Sequence, residues 1–190
     1  MDIVDQNLQA FQRAEQAKGD ATRWLADFET ALGSRDAGGI AALFHDDSHW
    51  RDILAFTWHY TPVAGAKEIA GRFATEQARV GAQNFHLPEE RRAPRQVKRA
   101  GIDSIEAIFE FSTKVGSGAG IVRLSPDAGG VMKAWLISTT LQSIAGHEEK
   151  IGDNRPTGSA YSRNFGGDNW ADVRRKAVAY EDREPTVLVI

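Results

Sequence analysis

The chain has 190 residues, of which 42% are hydrophobic and 26% charged, the balance of a globular protein with one main core and an appendage. A net charge of -3 gives no general attraction for phosphate backbones or anionic lipid, so neither nucleic acid nor membrane is an expected partner. Cysteine is absent, which excludes disulfides, thiolate metal sites and a cysteine nucleophile. The start, Met1-Asp2-Ile3-Val4-Asp5, is acidic where a signal peptide is basic, and no run approaches the ~18 apolar residues of a membrane span, so a cytoplasmic location is expected.

Val4, Leu8, Phe11, Ala14 and Ala17 recur at helical spacing, and Trp24, Leu25, Phe28, Ala31 and Leu32 do so again, which predicts two amphipathic helices. Asp36 is placed as the N-cap of a third, short one carrying Ile40, Leu43 and Phe44, although Gly38 and Gly39 weaken it. Ser48 to Tyr60 is rich in aromatic and β-branched residues, without glycine or proline, and reads as a strand or a bent strand pair. Ile69, Phe73 and Val80 mark a further helix beginning after Gly65. Arg91, Arg92, Arg95, Lys98 and Arg99 form a local basic run, read as a solvated edge.

From Ser104 to Val115 the pattern alternates, with Ile105, Ala107, Phe109 and Phe111 on one face and Glu106, Ile108 and Glu110 on the other. A turn at Gly116-Ser117-Gly118, a short strand from Ile121 to Leu124, a second turn at Asp127-Ala128-Gly129-Gly130 and a strand from Val131 to Ile144 complete an antiparallel meander. Beyond Ile144 turn formers dominate, and a short helix is predicted from Trp170 to Asp182 with Asp168 or Asn169 as its cap. Helices followed by long antiparallel strands predict an α+β fold, a cone in which N-terminal helices pack on a curved, mainly antiparallel sheet that encloses a pocket.

Trp24-Leu25-Ala26-Asp27-Phe28, the Asp36 to Phe44 helix and His45-Asp46-Asp47-Ser48-His49-Trp50-Arg51-Asp52 resemble the SnoaL-like, or nuclear-transport-factor-2-like, superfamily over roughly residues 20 to 145. The last residues, Pro185-Thr186-Val187-Leu188-Val189-Ile190, read as a strand buried on both faces, of the kind that precedes the glycine loop of a dinucleotide-binding domain. With Trp50 to Trp58, Lys133-Ala134-Trp135, Gly146-His147-Glu148-Glu149 and Asn169-Trp170, this ending resembles the N-terminal region of a family of flavin-containing monooxygenases. The division expected is an N-terminal helix over 1–20, a pocket domain over 21–145, a linker with a short helix over 146–185, and the start of a dinucleotide-binding domain over 186–190. The resemblance implies FAD and NADPH for a full-length homologue, with neither held by this chain alone.

If Ser48 to Tyr60 is extended throughout, Trp50, Asp52, Leu54, Phe56, Trp58 and Tyr60 share one face, and His49, Arg51 and His59 the other. Asp52 is then a carboxylate among aromatic rings, short of hydration, the setting of a general acid or base. The competing assignment has it pairing with an arginine or capping a backbone amide. Phe109, Phe111, Trp135, Ile137 and Thr139 are expected to complete a mostly apolar pocket for a small organic ligand. His49 and His59 are secondary candidates, but two histidines without a third ligand do not make a metal site, and none is expected. Three functions are open: an accessory domain for substrate access, docking or dimerisation, attached in cis to a flavin domain; a free-standing isomerase, cyclase or hydratase using Asp52; and a ligand-binding or homodimerising module.

Overall fold

The computed structural model describes residues 3–155 and 166–181, which fall into two units, one ending at Glu149 and one beginning at Lys150. The expected terminal strand from Val187 to Ile190 lies outside the described residues.

Helix α1 (Ile3–Ser34) is one continuous element where two were predicted. Gly19 sits between the two apolar stripes with nothing near it, and an isolated glycine costs about 1 kcal/mol without breaking a helix. Only the second half of α1 enters the core, through Ala17, Ala21, Trp24, Leu25, Phe28 and Leu32; residues 5–16 are exposed. Helix α2 (Ala37–Ala42) starts at the predicted cap, with Asp36 accepting from the Gly38 amide at 3.0 Å. The two glycines that seemed to weaken it make room for that carboxylate, since a Cβ at Gly39 would lie 2.6 Å from Asp36 Oδ2. Trp24 Nε1 donates to the Leu43 carbonyl at 3.0 Å and ties α1 to the end of α2.

Strands β1 (Phe44–Ile53) and β2 (Tyr60–Ala64) form the bent pair, and helix α3 (Ala66–Val80) follows. Short strands β3 (Gln83–His86) and β4 (Arg95–Arg99), neither of which was predicted, precede the meander of β5 (Ile102–Thr113), β6 (Gly116–Pro126) and β7 (Met132–Ile144). The sheet order is β2-β1-β7-β6-β5-β3, with β4 also on β5; β1 and β7 run parallel and the other pairs antiparallel. The helices pack on one face of this sheet, as predicted for the α+β fold.

The first meander turn falls at Lys114 and Val115, so Gly116, Gly118 and Gly120 belong to β6, which is 11 residues long and not the short strand expected. Phe111 pairs with Gly118 and Phe109 with Gly120 across the strands. A Cβ at either glycine would lie 2.3 Å from the facing ring, so their bareness lets both phenylalanines lie down on the sheet.

In the second unit, Gly152–Asn154 form one 3-10 turn and helix α4 spans Trp170–Ala179. Its cap is Asn169, which accepts from the Asp172 amide at 3.1 Å. The helix ends three residues before the predicted Asp182, with Tyr180 in the left-handed region. No helix of the described residues is long and apolar enough to cross a membrane.

Candidate functional site

Two-residue periodicity puts Phe44, Ser48, Trp50 and Asp52 of β1 on the helix-covered face of the sheet, with Phe109 and Phe111 of β5 and Ile137 and Thr139 of β7. The space beneath the sheet is occupied by a continuous chain of rings. Trp50 stacks on Phe73 at 3.9 Å between centroids, Phe56 meets Trp50, Phe73 and Phe111 edge-on or tilted, and Phe85 links Phe111 and Phe109 to Phe28. Burying each such side chain contributes about 1.5–3 kcal/mol.

Asp52 is the sole ionisable side chain among the buried described residues, at 0% exposure. Its Oδ2 accepts from the Thr57 amide at 2.7 Å and from Thr57 Oγ1 at 2.7 Å; its Oδ1 accepts from Thr139 Oγ1 at 2.7 Å; both oxygens share the Phe56 amide, at 3.1 and 3.0 Å. Trp50 Nε1 donates to Thr139 Oγ1 at 2.9 Å and extends the network into the core. Four donors on one carboxylate match its acceptor capacity. The group organises the β1–β2 corner: it turns residues 54–59 back toward the sheet, while Arg79 of α3 donates to the Phe56 carbonyl from the other side.

That corner breaks the expected stripe. Strand β1 ends at Ile53, and Leu54 and Trp58 take φ of 66° and 57°, the left-handed region. Parity is lost there, so Phe56 points into the core while Leu54, Trp58 and Tyr60, expected to line the pocket, are exposed, Tyr60 at 61%. Trp135 is also displaced from the expected lining. Ala134 pairs with Leu124 and Leu136 with Arg123, so Trp135 is the extra residue of a β-bulge. It lines a surface groove with His45, Asp47, Ile102 and Ser125. His49 lies on the outer face of β1 and His59 in the exposed corner; among the described residues no group of three His, Asp or Glu side chains could hold a metal.

The outer face carries what the sequence reading left out. Glu106 of β5 accepts from Arg95 of β4 at 2.7 Å and from Arg123 of β6 at 2.9 Å, with Arg99 at 3.7 Å. The Arg95 hydrogen bond, joined by Arg123 and opposed by partial burial, holds the Glu106 carboxyl below its usual range. The basic run is thus an edge strand stitched to the acids of β5, with Arg91 on Glu110 at 2.6 Å as well. A signal was present in the sequence, since Glu106 and Glu110 stand on the face opposite Phe109, but their partners required β4 to be seen.

No family model matches the chain, and no curated protein matches it. Among solved structures it is similar to a nuclear-transport-factor-2-like protein with a cystatin-like fold from Novosphingobium aromaticivorans, with TM-score 0.50 at 16% identity over 74% of this chain and 90% of that one. It is also similar to a domain of unknown function with a cystatin-like fold from Nostoc punctiforme, with TM-score 0.50 at 11% identity over 68% and 80% of the two chains. The fold of the first unit is that of nuclear-transport-factor-2-like, cystatin-like proteins.

Proposed function

We propose that the first unit is a non-catalytic accessory domain, serving substrate access, docking or dimerisation, of an FAD- and NADPH-dependent monooxygenase. The observation that carries the non-catalytic part is Asp52: it is the one buried carboxylate among the described residues, and four donors from the corner and β7 consume it. An acid or base of an isomerase, cyclase or hydratase needs a free lone pair or proton facing a substrate, and this carboxylate faces backbone amides and hydroxyls.

The flavin assignment rests on the resemblance at the end of the chain. The glycine run of Gly116, Gly118 and Gly120 lies inside β6, covered by Phe111, Phe109 and the Ser143 and Ser138 carbonyls, and presents no cradle for a pyrophosphate. We place the FAD and NADPH sites of that enzyme in the attached domain. Reading the gene in frame beyond the Ile190 codon tests this. A dinucleotide-binding domain encoded there is the expected result, and a stop codon directly after Ile190 overturns the attachment.

A further inference from the structure

Strand pairing lays the outer-face residues out in rows. One row runs Ala64, His49, Leu136, Arg123, Glu106, Arg95 across five adjacent pairings; the next runs Pro62, Arg51, Ser138, Ile121, Ile108. Where the rows cross β2, β1, β7 and β6 they border a groove of about 500 Å3. Pro62, Leu136 and Ile121 give it an apolar floor, and Arg51, Arg123, His49 and Ser138 stand around that floor.

The charge around this groove is unbalanced. Three guanidiniums gather on the single carboxylate of Glu106, and Arg51 has no carboxylate within ion-pair distance among the described residues. Its guanidinium lies 5.7 Å from the Tyr60 ring, a contact that steadies the side chain without neutralising it. Arg123 donates to Glu106 Oε2 through Nε, with Nη2 at ion-pair distance from the same oxygen, which leaves Nη1 to a further acceptor. The groove thus offers unspent cationic donors beside apolar surface.

We propose that this groove binds a small amphipathic carboxylate, its apolar body on Pro62, Leu136 and Ile121 and its charge held by the guanidiniums of Arg51 and Arg123 at the groove's rim. The site lies on the opposite face of the sheet from Asp52. It goes beyond the accessory role proposed above, and it holds whatever the gene encodes past Ile190, so the two fail separately.

Titration calorimetry of the whole chain with octanoate, paired with its neutral analogue octanamide, tests the site. Octanoate is expected to bind and octanamide to bind at least tenfold more weakly. Arg51→Gln and Arg123→Gln should each weaken octanoate about tenfold, the worth of one charge-assisted contact. Glu106 keeps Arg95 and Arg99 when Arg123 is replaced, so that variant stays folded. Arg72→Gln, on the exposed side of α3, should change nothing. Equal binding of octanoate and octanamide, unchanged affinity in both groove variants, or no binding at millimolar octanoate would each overturn the proposal, as would a dimer in sedimentation that occludes the groove and blocks titration.

Discussion

The two faces of one sheet handle charge in opposite ways. On the inner face the one buried carboxylate among the described residues is surrounded by rings and satisfied by four donors within its own chain neighbourhood and β7. On the outer face carboxylates and guanidiniums meet at the water boundary, with cations in excess around Glu106. Alternation along β1 and β5 sends neighbouring residues into these two settings, so Asp52 and Arg51 have unrelated roles although they adjoin in sequence. Burial surrounds the inner polar group with donors of its own chain; exposure leaves the outer ones at the groove for which a ligand is proposed.

Replacing Asp52 is the strongest way to break that contrast. Asp52→Ala should cost about 4 kcal/mol, because several buried donors lose their acceptor at about 1–3 kcal/mol each. Denaturant unfolding would measure it, and a loss under about 1 kcal/mol would show that the corner does not depend on the carboxylate. Gly120→Ala comes next, at about 2–3 kcal/mol, since the added methyl would lie 2.2 Å from the Ser138 carbonyl and 2.3 Å from the Phe109 ring.

On the outer face Glu106→Gln should cost only about 1 kcal/mol, the scale of exposed ion pairs joined in a network. It also has a pH signature. The folded carboxyl titrates below its ordinary 4.5, so its contribution is fully present above that value and is lost as pH falls through the depressed folded value. Wild-type stability should therefore fall more steeply than that of Glu106→Gln below about pH 4.5, and parallel curves would remove the network from the ledger. Smallest of all, Leu8→Ser and Phe11→Ser should each stay within about 0.5 kcal/mol, because both side chains are exposed on α1, at 56% and 64%.

Sequence patterns were legible where one physical rule acted alone. The alternation of Ile105, Ala107, Phe109 and Phe111 appears in β5 as read, because a long central strand with a wet face obeys period two strictly. Asp36 and Asn169 were recognisable as caps for a similarly local reason, a short polar side chain ahead of a helical run. The readings departed from the structure where a tertiary partner sets the backbone. Leu54 and Trp58 sit at positive φ because Asp52 and Arg79 pull the corner closed, and no local preference of leucine or tryptophan announces that. Trp135 left the inner face through a bulge defined by β6. Strands β3 and β4 are short and polar, and they exist because β5 offers them an edge.

Helix α1 outruns the body it serves. From Asp5 to Gln16 it has exposed side chains all round, a stretch of about 18 Å at the usual rise of an α-helix. Isolated helices of that length are marginal in water, so these turns hold only by propagation from the anchored segment that begins at Ala17. Amide hydrogen exchange along α1 should show it as a gradient, fast at the free end and slow past Trp24, with warming melting the arm residue by residue long before the cone opens.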